Sequence, residues 1–443
     1  MNGNGRRRVV IMGAAGRDFH NFNTLYRDRD DVEVVCFTET QIPDIAGREY
    51  PAKLAGDNYP EGIPIKEEKD ITEIIKEQDI DEVVLSYSDL YYIDVMRKAA
   101  RVNAAGAKFT MVPPEETMIE SEKKVIAVTA ARTGAGKSQT SRKILKILRE
   151  KDIEPAVIRH PMPYGDLEKQ EIQKFEDHDD LEEEACTIEE REEYEQYLDL
   201  GATLYAGVDY HKILEEAEKE SEVILWDGGN NDTPFYKPDH KFTMFDPLRP
   251  GHETKYYPGE INMRLCDTAI INKVGTAKKK DVREVKENIR KSNPNARIVK
   301  AESQIEVDNP SLIEDKKVLI IEDGPTLTHG EMKYGAGYIA AQKHNSEIID
   351  PSKYAVGSLK KTYRKYNLAK VLPAMGYSPK QISELERTVN KADCDAVIIG
   401  TPINLRKFIN INKPSARVTY KLEEKTEPGI EKEVNEIIDG LKN

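Results

Sequence analysis

Short runs rich in valine and isoleucine alternate with amphipathic stretches along this chain, and the alternation predicts strands separated by helices. Strands are expected at Arg8–Met12, Glu33–Thr38, Glu82–Ser86 and Lys108–Val112, with helices at Ile71–Gln78 and Tyr91–Ala105. Strands joined by helices imply a parallel sheet, because parallel neighbours need a long crossover between them. Met111-Val112-Pro113-Pro114-Glu115-Glu116 closes this first unit, since consecutive prolines stop both helix and central strand. The pattern resumes with strands Val125–Ala130, Glu154–Arg159, Val223–Trp226 and Thr268–Asn272 and helices Ser138–Glu150 and Tyr210–Glu218. Further strands are expected at Ala296–Ala301, Lys317–Glu322 and Ala396–Gly400.

One break in the pattern carries chemistry. The apolar run Val125–Ala130 opens into Ala131-Arg132-Thr133-Gly134-Ala135-Gly136-Lys137-Ser138, and the helix after it has apolar residues at helical spacing. Strand, small-residue loop and helix in that order form a phosphate cradle. Backbone N–H groups wrap the oxygens, the helix offers its positive end, Lys137 adds a point charge and the Ser138 hydroxyl can ligate Mg²⁺. Ala131 stands where the strict pattern has glycine, so that pattern is missed by one methyl group. The nucleotide-binding set expected here is Thr133, Gly134, Ala135, Gly136, Lys137, Ser138 and Gln139, with Lys137 also catalytic.

Other strand ends add to it. Val223-Ile224-Leu225-Trp226-Asp227-Gly228-Gly229 puts an acid after an apolar strand, the form that holds Mg²⁺ beside a phosphate loop, so Asp227 is expected to be catalytic and, with Ser138, a metal ligand. Ile270-Ile271-Asn272-Lys273-Val274-Gly275 looks like the base-reading loop of a GTPase, which makes Asn272 and Lys273 nucleotide-binding candidates. Gly275 occupies the place of the carboxylate that would bond guanine, which favours ATP over GTP. Arg159 and His160 end the next strand on the loop's edge of the sheet, where open α/β sheets place ligands. Arg249, His252 and Glu253 lie in a Gly- and Pro-rich cationic stretch, and Thr328 and His329 in Glu322-Asp323-Gly324-Pro325-Thr326-Leu327-Thr328-His329-Gly330. All seven are expected at an anionic substrate.

Composition narrows the classes. The chain has 443 residues, 38% hydrophobic and 33% charged, with a net charge of −14 that argues against general nucleic-acid or membrane binding. No apolar run approaches a membrane span and no signal peptide is evident, so a cytoplasmic location is expected. Cys36, Cys186, Cys266 and Cys394 lie too far apart in sequence for a zinc motif. From Asp166 to Glu195, 15 of 30 residues are carboxylates, which predicts a solvated helical excursion or lid. The Gly13-Ala14-Ala15-Gly16 turn lacks the full three-glycine fingerprint of a dinucleotide site.

Gly-Ala-Gly-Lys-Ser, Trp-Asp-Gly-Gly-Asn-Asn-Asp, Arg-Pro-Gly-His-Glu, Asn-Lys-Val and Glu-Asp-Gly-Pro-Thr-Leu-Thr-His-Gly together resemble predicted P-loop GTPases related to cyclic 2,3-diphosphoglycerate synthetase. The resemblance spans nearly the whole chain. It implies a Rossmann-like α/β domain over 1–120 and a P-loop NTPase domain of the signal-recognition, MinD and dethiobiotin-synthetase class over 121–301. A C-terminal α/β extension over 302–443 would complete the sheet and the substrate pocket. It also implies Arg132 in the place of that class's signature lysine, as a catalytic cation, and a homodimer. The implied activity is an ATP- or GTP-dependent synthetase closing a phosphoanhydride ring on 2,3-diphosphoglycerate, with Mg²⁺. A regulatory or metal-delivery switch and a dethiobiotin-synthetase-type kinase or ligase are the alternatives.

Overall fold

The structure, a computed structural model, describes residues 5–14, 16–39, 47–160, 165–324, 327, 333–366, 368, 370–374 and 378–440. The first strands form a six-stranded sheet in the order Glu49–Tyr50, Ile63–Glu67, Val32–Glu39, Arg7–Met12, Glu82–Leu85, Lys108–Met111. All but the edge pair Glu49–Tyr50 with Ile63–Glu67 run parallel. The helix Arg17–Leu25 was hidden in the sequence because its inward face carries Asp18, His20, Asn21 and Asn23, all buried. Asp18 explains the turn before it. Its carboxylate accepts from Gly16 N (2.9 Å) and Phe19 N (2.8 Å), which ties the turn to the start of the helix.

The remaining strands form a second, larger sheet. Its first part runs Ile172–Phe175, Leu204–Gly207, Pro155–Arg159, Val223–Asp227, Lys124–Ala130, His240–Phe245, Thr268–Ile271, Arg297–Val307. It then continues through Ser415–Glu424, Ala396–Gly400, Lys317–Asp323 and Glu347–Ile348, with Leu372–Ala374 also paired to Lys317–Asp323. The joint between the parts is an antiparallel ribbon, Ala301–Val307 against Val418–Glu424. From Pro155–Arg159 through Arg297–Val307 every pair is parallel, so the strand ends and the loops leaving them share one edge.

The strand His240–Phe245 went unpredicted because Lys241 and Thr243 interrupt its apolar run, yet both are buried. Burial pushes the Lys241 ammonium down to about 8.

The acidic stretch is not the solvated excursion expected from its charge. It builds the strand Ile172–Phe175 and the helices His178–Glu183 and Ile188–Leu198. On the second helix Tyr194, Tyr197 and Leu198 share one face and are buried against the core of the loop-bearing domain. Three of its carboxylates have identified partners. Glu190 closes a capping box with Thr187, accepting from Thr187 N at 2.7 Å. Glu193 pairs with Arg159, and Glu192 accepts from Thr401 on the far part of the sheet. The buried Tyr194, Tyr197 and Leu198 favour this docking, while burial raises the pKa of Glu190 and Glu195.

Candidate active site

The phosphate loop leaves Lys124–Ala130 and enters the helix Lys137–Arg149. Gly134 has φ +77° and Gly136 φ +112°, backbone states that side chains avoid. Ala131 is not among the residues with positive φ, which is why a methyl group is tolerated where the strict motif has glycine. The main chain of Gly259 packs against Ala131 so closely that a Cβ there would strike the Ala131 carbonyl.

Every element around the loop braces it. Asn272, fully buried, donates from Nδ2 to Ala135 O at 3.0 Å and to Ser303 Oγ at 3.0 Å. A Cβ on Gly136 would collide with that same Nδ2. Lys273 Nζ donates to Gly134 O and to Asp246 Oδ2, each at 2.8 Å, and Arg249 Nη2 donates to Thr133 O at 2.6 Å. Lys273 and Arg249 also hold the buried Asp246 carboxyl below its ordinary range, against the effect of burial. Asn272, Lys273 and Arg249 therefore lie against the loop's own carbonyls and neighbouring side chains, and within the loop Ala135 N donates to Arg132 O at 3.3 Å.

The N-terminal sheet reaches the loop through Asp89, which sequence reading missed. Its carboxylate accepts from Arg132 Nη1 (2.9 Å) and Thr133 Oγ1 (2.8 Å), and Asp89 N donates to Asn231 Oδ1 at 2.8 Å. Asp89 has φ +59°, a turn state aspartate tolerates, in the bend between the strands Glu82–Leu85 and Leu90–Tyr91; the Ser86-Tyr87-Ser88-Asp89 run after an apolar strand was the available signal. Arg132 also lies over the Tyr256 ring at 3.4 Å, and His252 stacks on that ring at 4.9 Å. Burial, with Arg132, Arg249 and Lys255 nearby, pushes His252 down to about 4, so its imidazole is neutral at physiological pH. Glu253 turns away to accept from Asn288 Nδ2 at 2.7 Å.

Asp227 ends its strand fully buried. One oxygen, Oδ2, accepts from the Tyr197 hydroxyl and pairs with Arg159, while Oδ1 has no hydrogen-bond partner among the described residues. Lys137 reaches Asn230 O at 2.5 Å; burial lowers its pKa, and Asp227 works in the opposite direction. Arg159 is clamped between Asp227 and Glu193, which outweigh burial and keep its guanidinium charged. His160 packs on Gly16 and Gly229, with Nε2 3.5 Å from Asp232 Oδ2. Thr328 and His329 lie outside the described residues. On the strand Lys317–Asp323, Glu322 is buried and accepts from Gly335 N (3.1 Å) and Tyr338 N (2.8 Å) at the start of the helix Ala336–Lys343.

Lys137, Asp227, Arg132, Asn272 and Lys273 thus converge on one strand edge, and the acidic helix Ile188–Leu198 links that edge to Thr401. Glu193 and Tyr197 were missed because fifteen carboxylates in thirty residues masked which of them turn inward.

A parallel α/β sheet with a glycine loop opening a helix, and an acid ending the neighbouring strand, defines a P-loop NTPase fold. No family model matches the chain. It is 58% identical over 433 residues to the arginine synthetase ArcE of Thermococcus kodakarensis, covering 97% of each chain. The chain belongs to the family of that arginine synthetase and is a P-loop synthetase, the enzyme class its motifs imply. Among solved structures it is similar to LpxK from Aquifex aeolicus in complex with ATP, at 12% identity and a TM-score of 0.41, covering 73% of this chain and 90% of that one. HypB from Archaeoglobus fulgidus follows at 13% identity and a TM-score of 0.28, covering 41% and 81%. Among the described residues no helix is long and apolar enough to cross a membrane.

Proposed function

We propose that this protein makes arginine at the expense of ATP. The observation that carries the reading is the 58% identity, over 97% of both chains, to an arginine synthetase. Chemistry narrows the route. The guanidinium carbon of arginine bears only nitrogen, so its immediate precursor with one oxygen on that carbon is the ureido amino acid citrulline. In this reading the ureido oxygen attacks the γ-phosphorus, the bond to the bridging oxygen breaks and ADP leaves. Ammonia then adds to the activated carbon, the C–O bond breaks, phosphate departs and the added nitrogen loses its proton.

In this reading the chain's part is placement and charge. The N–H groups of Gly134, Gly136, Lys137 and Ser138 hold the phosphates, Lys137 neutralises charge at the γ end, and Arg132, fixed by Asp89 and Tyr256, adds a second cation. Mg²⁺ fits the donor set present: the Ser138 hydroxyl and the unpartnered Oδ1 of Asp227, whose other oxygen is fixed by Arg159 and Tyr197. When bound, the ion would offset charge on the β- and γ-phosphates. ATP rather than GTP is favoured by Gly275, whose N–H bonds Glu302 where a guanine-reading loop carries its own carboxylate.

The cyclic 2,3-diphosphoglycerate reaction uses the same phosphoryl donor but needs free cations for a bisphosphate. Arg159 and Arg249, expected to supply them, are already paired with Asp227 and Glu193 and with Asp246. That weighs toward the less anionic ureido substrate.

The test is incubation of purified protein with ATP, Mg²⁺, ammonium and citrulline, with arginine, ADP and phosphate quantified together. Stoichiometric arginine is expected. ATP turnover stimulated by 2,3-diphosphoglycerate with a cyclic product, and no arginine, would overturn the proposal.

A further inference from the structure

A groove of about 860 Å³ runs along the loop helix Lys137–Arg149, walled by the ribbon Arg297–Val307 with Ser415–Glu424 and by the helix Ile430–Asp439. That volume is in the range of small-molecule sites, roughly 300–1,000 Å³. Two ion pairs lie along it, Lys143 with Glu424 at 2.5 Å and Lys421 with Glu306 at 3.0 Å. Its end nearest the phosphate loop is different, holding Gln139, Arg142, Gln304 and Tyr420.

Gln139 is only 7% exposed, and its Oε1 has no hydrogen-bond partner among the described residues. A carboxamide oxygen left unsatisfied in a buried wall of a groove is set for a donor that arrives with a ligand. The Arg142 guanidinium lies 6.0 Å from the Tyr420 ring centroid and has no ion-pair partner among the described residues. Tyr420 supplies an aromatic face.

The loop itself gives the direction. Lys137 points toward Asn230 and Asp227, which marks the γ end of a bound triphosphate. At the other end an added Cβ on Gly136 would come 3.6 Å from Gln139 Nε2, and Asn272 bonds Ser303, the residue before Gln304. The chain of a nucleotide leaving the loop on this side passes Gly136 and meets Gln139.

We infer that this end of the groove holds the ribose and purine of the nucleotide, the ring against Tyr420 and the Gln139 carboxamide on its polar edge. The inference rests on the triphosphate reading of the loop, and it places base recognition on a ribbon strand and a loop-helix residue rather than on the Asn272-Lys273 turn alone.

Calorimetric titration of the full chain with Mg·ATP and with Mg·tripolyphosphate separates the two readings. Wild-type protein is expected to bind ATP tighter than tripolyphosphate by at least the contribution of one base–aromatic stack. Tyr420→Ala should lose about tenfold in ATP affinity, the size of one base–aromatic stack, with tripolyphosphate unchanged; Tyr420→Phe should retain the wild-type value. If Tyr420→Ala binds both ligands like wild type, the nucleoside lies elsewhere. If that variant loses both ligands through misfolding, Gln139→Leu decides by the same criterion, a selective loss of ATP supporting the groove and no selective loss overturning it. Failure of wild type to bind either ligand removes the reading of the loop, and the inference with it.

Discussion

Tyr197→Phe removes one oxygen from the machinery around Asp227 and leaves nearly everything else in place. The ring is fully buried among the loop-domain core residues, and phenylalanine preserves that packing. What is lost is the hydroxyl's bond to Asp227 Oδ2, a bond to a charged acceptor of a kind worth about 1.5–3 kcal/mol. Arg159 still holds that oxygen, so the carboxylate keeps its charge partner but loses one of two restraints on its orientation. If most of the loss falls on metal placement, the Mg²⁺ concentration for half-maximal ATP turnover rises roughly 10- to 100-fold, at 1.4 kcal/mol per factor of ten. Metal-free ATP affinity, set by the loop, stays within about twofold. The assay is steady-state ADP release across a Mg²⁺ titration, with thermal melting alongside. A variant that melts several degrees lower but keeps the wild-type Mg²⁺ dependence would show that Tyr197 only packs, and would refute the argument that it aims Asp227.

Gly136→Ala should abolish calorimetric ATP binding, because φ +112° costs an alanine roughly 1–3 kcal/mol and the new methyl displaces Asn272 from Ala135 O. Lys137→Met should cut turnover by at least about 100-fold, the scale of losing one charge-stabilising donor, without lowering the melting temperature, since burial disfavours this cation in the folded state. Burial raises Glu322 to about 8, so between its ordinary value of 4.5 and 8 the folded chain keeps a proton that the unfolded chain releases. That carboxyl therefore lowers stability progressively as pH rises through this window, and Glu322→Gln, neutral throughout, should melt at increasingly higher temperature than wild type from pH 5 to pH 8. An equal gap at both pH values would show that the glutamate is not held protonated.

Much of the site could be read from local pattern. Strand, loop and helix around Lys137 depend on neighbours in the chain: apolar β-formers, glycines at positive φ, then apolar residues at helical spacing. Asp227 belongs to the same kind of signal, an acid closing an apolar strand. The roles of cations were less legible, because a cation's role depends on which anion meets it. Arg159 and Arg249 look like free anion binders in a linear sequence and become braces once Asp227, Glu193 and Asp246 are beside them.

The sequence by itself determined the parallel α/β order, the phosphate loop and the acid facing it, since each is encoded within a few consecutive residues. Only the tertiary structure decided that the acidic helix is buried, that Asp89 of the N-terminal sheet grips the loop, and that one oxygen of Asp227 is tied while the other is left open. Those outcomes turn on desolvation, hydrogen bonding and ion pairing between residues 30 to 209 positions apart. Charge pattern along a chain cannot report which carboxylate finds a partner in space and which faces water.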